Sequence, residues 1–238
     1  MKASFRVVLA LGVLTLAVAT AGAQQQKGRG FGGGFGGGQQ GGLTNIAANE
    51  AVQKELGVSG DVTSKLTALR DDYRAAQQKE YQTAGIDPQN FQNLTPEQRQ
   101  KMTAIGAKLN DEFTGKIKEL VSADQLKRLK QIQIQVQGSA ALTNPDVATE
   151  LKISDDQRKQ LIELGTEFGR KQRELFTGGG SFQENAGKMR ELATERDNKA
   201  LALLNAEQKE KFTALKGSPF DTAQIGFGGA GRGKRGKN

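Results

Sequence analysis

A five-residue pattern recurs along this chain and constrains its fold more than any other feature. Each copy has an apolar residue, then a small polar residue and, two positions further on, an acid that is usually followed by glutamine. The copies are Val58-Ser59-Gly60-Asp61-Val62, Leu94-Thr95-Pro96-Glu97-Gln98, Val121-Ser122-Ala123-Asp124-Gln125, Ile153-Ser154-Asp155-Asp156-Gln157 and Leu204-Asn205-Ala206-Glu207-Gln208. A side-chain oxygen at a helix N-cap accepts a bond from an unpaired backbone N–H, and glutamine at N3 can bond back to the cap. The pattern therefore predicts five helix starts, capped by Ser59, Thr95, Ser122, Ser154 and Asn205, with N3 glutamines at Gln98, Gln125, Gln157 and Gln208.

Apolar residues stand seven and ten positions after every cap, for example Leu66 and Leu69 after Ser59. This spacing places them on one face of a helix. Residues 131–137 also alternate between glutamine and aliphatic residues, which is a strand pattern. Because Leu129, Ile132 and Val136 continue the helical spacing, and no other segment offers a partner strand, we predict a helix there.

The second half of the body repeats the first. Ten residues between Val52 and Tyr81 match residues 95 positions later, between Val147 and Phe176. Met102 and Ile105 match Met189 and Leu192 at a spacing of 87, and the Val121 and Leu204 pentapeptides match at 83. This predicts two tandem helical repeats, over residues 43–138 and 139–225. Their helices are predicted near residues 46–56, 59–84, 95–120, 122–137, 145–151, 154–177, 183–203 and 205–216, with a linker at 138–144.

These patterns predict an all-α protein. A helix of about 25 residues is roughly 37 Å long, and only 5% of the residues are aromatic. Long helices with narrow apolar stripes cannot fill a thick core. We therefore expect elongated helical hairpins or a bundle made from the two repeats, or a homodimer that completes the burial of the stripes.

Residues 1–23 have the features of a secretory signal peptide. Lys2 and Arg6 precede an apolar run, and Ala21-Gly22-Ala23 is a small-residue cleavage site. The alternative is a leader that is retained as a membrane anchor. We expect export to the periplasm or cell envelope, with cleavage near Ala23.

Two Gly-rich segments, 24–42 and 226–238, flank the body. Glycine-rich chains cannot repay the entropy of ordering, so both tails are expected to be disordered. All 26 acidic residues lie between Glu50 and Asp221, so the tails are purely basic although the body between them is neutral. We expect the tails to contact an anionic membrane or cell-wall surface rather than a specific nucleic acid. The basic residues involved would be Arg29, Arg232, Lys234, Arg235 and Lys237.

The composition argues against an enzyme or a metalloprotein. The chain has no Cys, His or Trp, which removes thiolates and imidazoles as nucleophiles, proton carriers and metal ligands. The pair Asp155-Asp156 falls in a predicted first helical turn, where the helix dipole accounts for it. We predict no catalytic residue, no metal site and no cofactor.

The leader, the helical body and the caps together resemble the LTxxQ-motif proteins of the Spy/CpxP type. Residues 94–98 match the motif literally, and residues 121–125, 153–157 and 204–208 are near matches. The resemblance implies a small periplasmic stress protein, in a family that includes an ATP-independent chaperone. Members of that family carry one unit per chain and dimerise, whereas this chain carries two units and lacks the histidines of the metal-sensing members.

Two functional hypotheses follow. The first is chaperone-like binding of unfolded or envelope proteins on an amphipathic surface formed by the two repeats. The second is a structural envelope protein, in which the helices are a spacer and the basic tails adhere to anionic surfaces. A continuous exposed apolar groove would favour the first hypothesis, and a closed core would favour the second.

Overall fold

The computed structural model describes residues 42–87, 90, 93–178 and 182–225. The predicted signal peptide and tails lie outside the described residues, apart from Gly42. All described residues belong to one compact unit. Within these ranges the regular structure is entirely helical, so the all-α prediction is confirmed.

The first copy contains five α-helices. They are α1 (Leu43–Ala47), α2 (Glu50–Glu55), α3 (Asp61–Thr83), α4 (Pro96–Leu120) and α5 (Ala123–Gln137). The two long helices, α3 and α4, pack against each other as the first hairpin, and α5 closes the unit. Residues 131–137 lie inside α5, so the helical interpretation of that segment is confirmed.

The second copy has the same order of elements. A 3₁₀ helix (Gly138–Thr143) and α6 (Pro145–Glu150) precede α7 (Asp155–Thr177), α8 (Phe182–Ala202) and α9 (Ala206–Lys216). Helices α7 and α8 form the second hairpin, and a short 3₁₀ helix (Thr222–Ile225) follows α9. Helix α8 has 21 residues where α4 has 25, a difference of about one helical turn.

Local backbone geometry recurs between the copies at the spacing of 95. Asn49 caps α2 and Asn144 caps α6, each accepting a bond from a backbone N–H in the first turn. The residue after the C-cap of each of these short helices also has a positive φ, of 65° at Gly57 and 51° at Lys152. The repeat seen in the sequence is therefore a repeat of backbone geometry as well.

Two predicted helix starts are wrong. The helix expected at 46–56 is two helices, because Asn49 adopts an extended conformation and caps α2. Residues 138–144 join the copies as predicted, and residues 138–143 form a 3₁₀ helix. Ser59 is not an N-cap, since α3 begins at Asp61 and its cap is Gly60, with φ of 58° and no side-chain bond. The glycine permits this conformation, and Val62 provides no glutamine to complete a capping box with Ser59.

Three clusters of buried apolar side chains form the core. The first base cluster joins α1, α2, α5 and the lower turns of α3 and α4, and comprises Leu43, Ile46, Ala47, Val52, Leu56, Leu66, Ile117, Leu129 and Ile132. The second base cluster is its counterpart, formed by the second copy together with Ile134 of α5, and comprises Ile134, Ala141, Leu142, Val147, Ala148, Leu151, Ile153, Leu161, Ala200, Leu204 and Phe212. The first tip cluster fills the far end of the first hairpin, and comprises Tyr81, Ile86, Leu94, Ile105, Leu109 and Phe113.

The segment after α9 returns to the first copy. Phe220 and Ile225 pack on the first base cluster. The Arg128 guanidinium donates to the carbonyl of Ser218 at 2.7 Å, and the Gln135 amide oxygen accepts from the N–H of Phe220 at 2.8 Å. Residues 217–225 therefore join the end of the second copy to the core of the first. In the described part of the chain, no helix is both long and apolar enough to cross a membrane.

Candidate functional site

Four of the five pentapeptides form complete capping boxes. At Thr95, Ser122, Ser154 and Asn205 the side-chain oxygen accepts from the N3 backbone N–H, and the N3 glutamine side chain accepts from the N-cap N–H. The helix-start prediction is therefore confirmed at these four caps.

Each N3 glutamine also makes a bond that the sequence did not predict. Its carboxamide nitrogen donates to a backbone carbonyl at the end of another helix or in a loop. Gln98 donates to Gly85 at 3.0 Å, Gln125 to Leu56 at 2.9 Å, Gln157 to Leu203 at 2.8 Å and Gln208 to Leu151 at 3.2 Å. The glutamines therefore fix the start of one helix to another part of the fold, which is a structural role.

Two of these glutamines also bond to each other. The amide nitrogen of Gln157 donates to the amide oxygen of Gln208 at 2.8 Å, and Gln208 returns the bond to Gln157 at 3.0 Å. This pair joins the starts of α7 and α9 in the second copy. The first copy has Val62 in place of Gln157, so it lacks the pair.

The two hairpins differ at the positions where their long helices face each other. In the first hairpin the rings of Tyr73 and Phe113 meet edge to face, with centroids 5.2 Å apart. In the second hairpin the counterpart of Tyr73 is Phe168, and the guanidinium of Arg196 lies 4.5 Å from its ring centroid. A cation–π contact has therefore replaced an aromatic pair of the core.

This contact also shows which residues of α8 correspond to which residues of α4 in the two copies. Because Arg196 takes the place of Phe113, the two helices correspond at a spacing of 83, and Leu192 is the counterpart of Leu109. The sequence comparison matched Leu192 with Ile105 at a spacing of 87. The contact between Arg196 and Phe168 corrects that match. Charged residues replace three apolar residues of the first hairpin. Lys188 stands for Ile105 and Arg196 for Phe113 at the spacing of 83, and Lys171 stands for Ala76 at the spacing of 95.

An open cleft with a volume of about 620 Å³ lies between α7 and α8. A small pocket of about 20 Å³ adjoins it, shares Lys171, Leu192 and Glu195 with it, and forms its narrow end. Leu175 and Leu192 are half-buried at its floor, and Phe168 and Leu164 lie at its narrow end. The charged residues that line it are equally divided between the two signs: Glu167, Glu174, Glu191 and Glu195, and Lys171, Lys188, Arg196 and Lys199. We call this feature the α7–α8 cleft.

A chain of ion pairs crosses the narrow end of the cleft. The ammonium of Lys171 lies 2.9 Å from Glu167 on its own helix and 3.7 Å from Glu195 on α8, and Glu195 pairs with Lys199 at 2.6 Å. Hydrogen bonding to Lys171 lowers the pKa of Glu167, and hydrogen bonding to Lys199 lowers the pKa of Glu195. The same bond to Glu195 raises the pKa of Lys199, so all three groups are held in their charged forms at neutral pH.

A second network holds Arg196 in place. Its guanidinium donates to Asp197 at 2.7 Å, and the Ser139 hydroxyl donates to the same carboxylate oxygen at 2.5 Å. Ser139 belongs to the 3₁₀ helix that opens the second copy, and it is buried. Arg196, at the narrow end of the cleft, is therefore linked through Asp197 to the 3₁₀ helix of the same repeat.

The described residues contain no group of three potential metal ligands from His, Cys, Asp and Glu. Asp155 and Asp156 lie in the exposed first turn of α7 and face solvent. The tail residues Arg29, Arg232, Lys234, Arg235 and Lys237, which are candidates for anionic-surface contacts, lie outside the described residues.

The chain was also compared with known proteins. No family model matches it, and neither the curated proteins nor the solved structures include a match.

Proposed function

We propose that this protein is an exported, non-enzymatic helical protein that binds unfolded or envelope proteins in a chaperone-like manner. The observation that carries this proposal is the α7–α8 cleft. It combines half-buried leucines with four acidic and four basic side chains. Such a surface matches the mixed apolar and charged side chains of a polypeptide better than it matches a polyanion or a small apolar molecule. The duplicated capping motif, through its resemblance to the Spy/CpxP type, agrees with this function.

The experiment is the aggregation of a chemically denatured protein, followed by light scattering, with and without the purified protein. Suppression at a stoichiometric ratio without ATP is the expected result. Absence of suppression at that ratio would reject the proposal.

A second function, an envelope spacer with adhesive tails, is supported by a different observation. Most apolar residues of the stripes are buried in the three clusters, and Ile162, at 54%, is the single large apolar residue that is largely exposed in the described part of the chain. A core that is mostly closed in this way fits a spacer. If the protein is an envelope spacer with adhesive tails, deletion of residues 24–42 and 226–238 abolishes its retention on anionic membranes or cell wall. Unchanged retention would reject it.

A further inference from the structure

We propose that the α7–α8 cleft binds a short polypeptide segment in which a large apolar side chain is flanked by both an acidic and a basic residue. This inference rests on the proposed function and names the chemistry of its ligand. Among the described residues, the first hairpin has no such cleft at the matching position, because the first tip cluster fills it. We expect no peptide to bind there.

The apolar part of the ligand is indicated by the floor of the cleft. Leu175 and Leu192 are half-buried in a hairpin that has no counterpart of the first tip cluster among the described residues. At the matching position of the first hairpin, Leu109 is only 2% exposed. An apolar side chain that covers the remaining surface of these leucines removes it from water, which favours binding.

The requirement for both charges is indicated by the rim. Lys188 and Glu191 are exposed, lie three positions apart on α8, and line the cleft beside Leu192. Among the described residues neither forms an ion pair, whereas Lys171, Glu174, Glu195 and Lys199 all do. Lys188 and Glu191 can therefore receive a ligand acid and a ligand base without breaking an internal pair.

The counterparts of these rim residues show why the first hairpin differs. Ile105, the counterpart of Lys188, is buried in the first tip cluster. Lys108, the counterpart of Glu191, pairs with Glu80 across the hairpin at 2.7 Å. Glu80 corresponds to Leu175. Where the first hairpin has the ion pair between Glu80 and Lys108, the second therefore has an apolar leucine beside Glu191, which is unpaired among the described residues.

The test uses four fluorescein-labelled twelve-residue peptides and protein purified after export from its complete chain. One peptide has central leucines flanked by Lys and Glu, the second has only Lys, the third has only Glu, and the fourth replaces the leucines of the first by Ser. Fluorescence anisotropy should show the tightest binding for the mixed-charge leucine peptide. Tighter binding of either single-sign peptide, or equal binding of the serine peptide, would overturn the inference.

Charge reversal locates the site. Lys188→Glu should shift preference toward the Lys peptide by about threefold to fivefold, and Glu191→Lys should shift it toward the Glu peptide by a similar factor. The matched control is Lys101→Glu, which makes the same charge change on the exposed face of the first hairpin and should leave the preference unchanged. Equal effects of Lys188→Glu and Lys101→Glu would contradict the inference.

A third variant closes the cleft with residues that the first hairpin already uses. The triple substitution Lys171→Ala, Lys188→Ile and Arg196→Phe should keep the helical circular dichroism signal and abolish peptide binding. If this variant suppresses aggregation as well as the native chain does, the proposed function stands and the cleft inference fails. If neither protein suppresses aggregation but the peptides bind the native chain with the expected preferences, the cleft inference stands and the chaperone-like function fails.

Discussion

The glutamine of each complete pentapeptide bonds to two parts of the fold at once. Its oxygen accepts from the N-cap of its own helix, and its nitrogen reaches a carbonyl elsewhere in the chain. The capping bond follows from sequence alone, because cap and glutamine are three residues apart. The second bond joins positions such as Gln125 and Leu56, and only the folded chain brings these together.

Gln208 is the glutamine whose loss should matter most. It is 6% exposed, and its nitrogen donates to both Leu151 and Gln157. Gln208→Ala removes the cap bond and leaves buried groups unpaired, so the free energy of unfolding should fall by about 2–3 kcal/mol. Gln98→Ala, at a more exposed cap, should lower it by about 1 kcal/mol. Urea denaturation compares the two, and an equal loss would contradict the role assigned to Gln208.

Lys152 is strained where its counterpart is not. It has φ of 51°, a conformation that Gly57 adopts at the matching position of the first copy. A left-handed conformation is unfavourable by roughly 1–2 kcal/mol for a residue with a Cβ. Glycine removes this strain, but its greater flexibility in the unfolded chain offsets part of the gain in stability. Lys152→Gly should therefore raise the free energy of unfolding by about 0.5–1 kcal/mol.

The converse substitution, Gly57→Lys, is the matched control for this site. It should lower the free energy of unfolding by a similar amount in the same urea titration. A destabilised Lys152→Gly variant would show that the lysine side chain has a compensating contact.

At the scale of elements, sequence patterns predicted most helices and missed the difference between the hairpins. Caps and apolar spacing are local, so the long helices end within about two residues of the predicted limits, which is the usual uncertainty of such boundaries. The prediction that Ser59 is an N-cap is wrong because α3 begins at Asp61 and Gly60 occupies the N-cap position. The cleft was missed because Lys171, Lys188 and Arg196 look like ordinary solvent-facing residues until the two copies are aligned through their contacts. Comparison of α4 with α8 at a spacing of 83, and of α3 with α7 at a spacing of 95, would have shown the three exchanges.

The C-terminal segment should contribute to the stability of the first copy. Phe220 and Ile225 are half-buried against the first base cluster. Truncation after Lys216 should lower the free energy of unfolding by about 2 kcal/mol, because these two side chains are removed from the core. Truncation after Ile225, which removes residues 226–238 alone, is the control and should leave the urea midpoint unchanged. Identical midpoints for both truncations would refute this role.

The ion pairs of the second hairpin should make its stability depend on acid pH. The pKa values of Glu167 and Glu195 lie below their ordinary value of 4.5, so their contribution is present above that pH and is lost as the pH falls through the lowered values. Lys171→Met removes the partner that lowers the pKa of Glu167. The fall in melting temperature between pH 7 and pH 3 should therefore be smaller in this variant than in the native chain. A fall of the same size would exclude Lys171 as the cause.

At the scale of the whole molecule, duplication provides two versions of one helical unit within a single compact body. Both copies retain a base cluster and the capped starts of their closing helices, and these features give them the same framework. The first copy closes the far end of its hairpin with the tip cluster. Among the described residues, the second has charged side chains beside the half-buried Leu175 and Leu192 instead, so the two copies differ at the proposed binding cleft.

The proposed cleft confines binding to the second hairpin. Hydrogen–deuterium exchange of the purified protein, with and without an excess of a denatured protein, tests this directly because both hairpins are followed in one experiment. We expect slower exchange in α7 and α8, over residues 155–177 and 182–202, and no change in α3 and α4. Slower exchange in the first hairpin, or no change in either hairpin, would contradict the account.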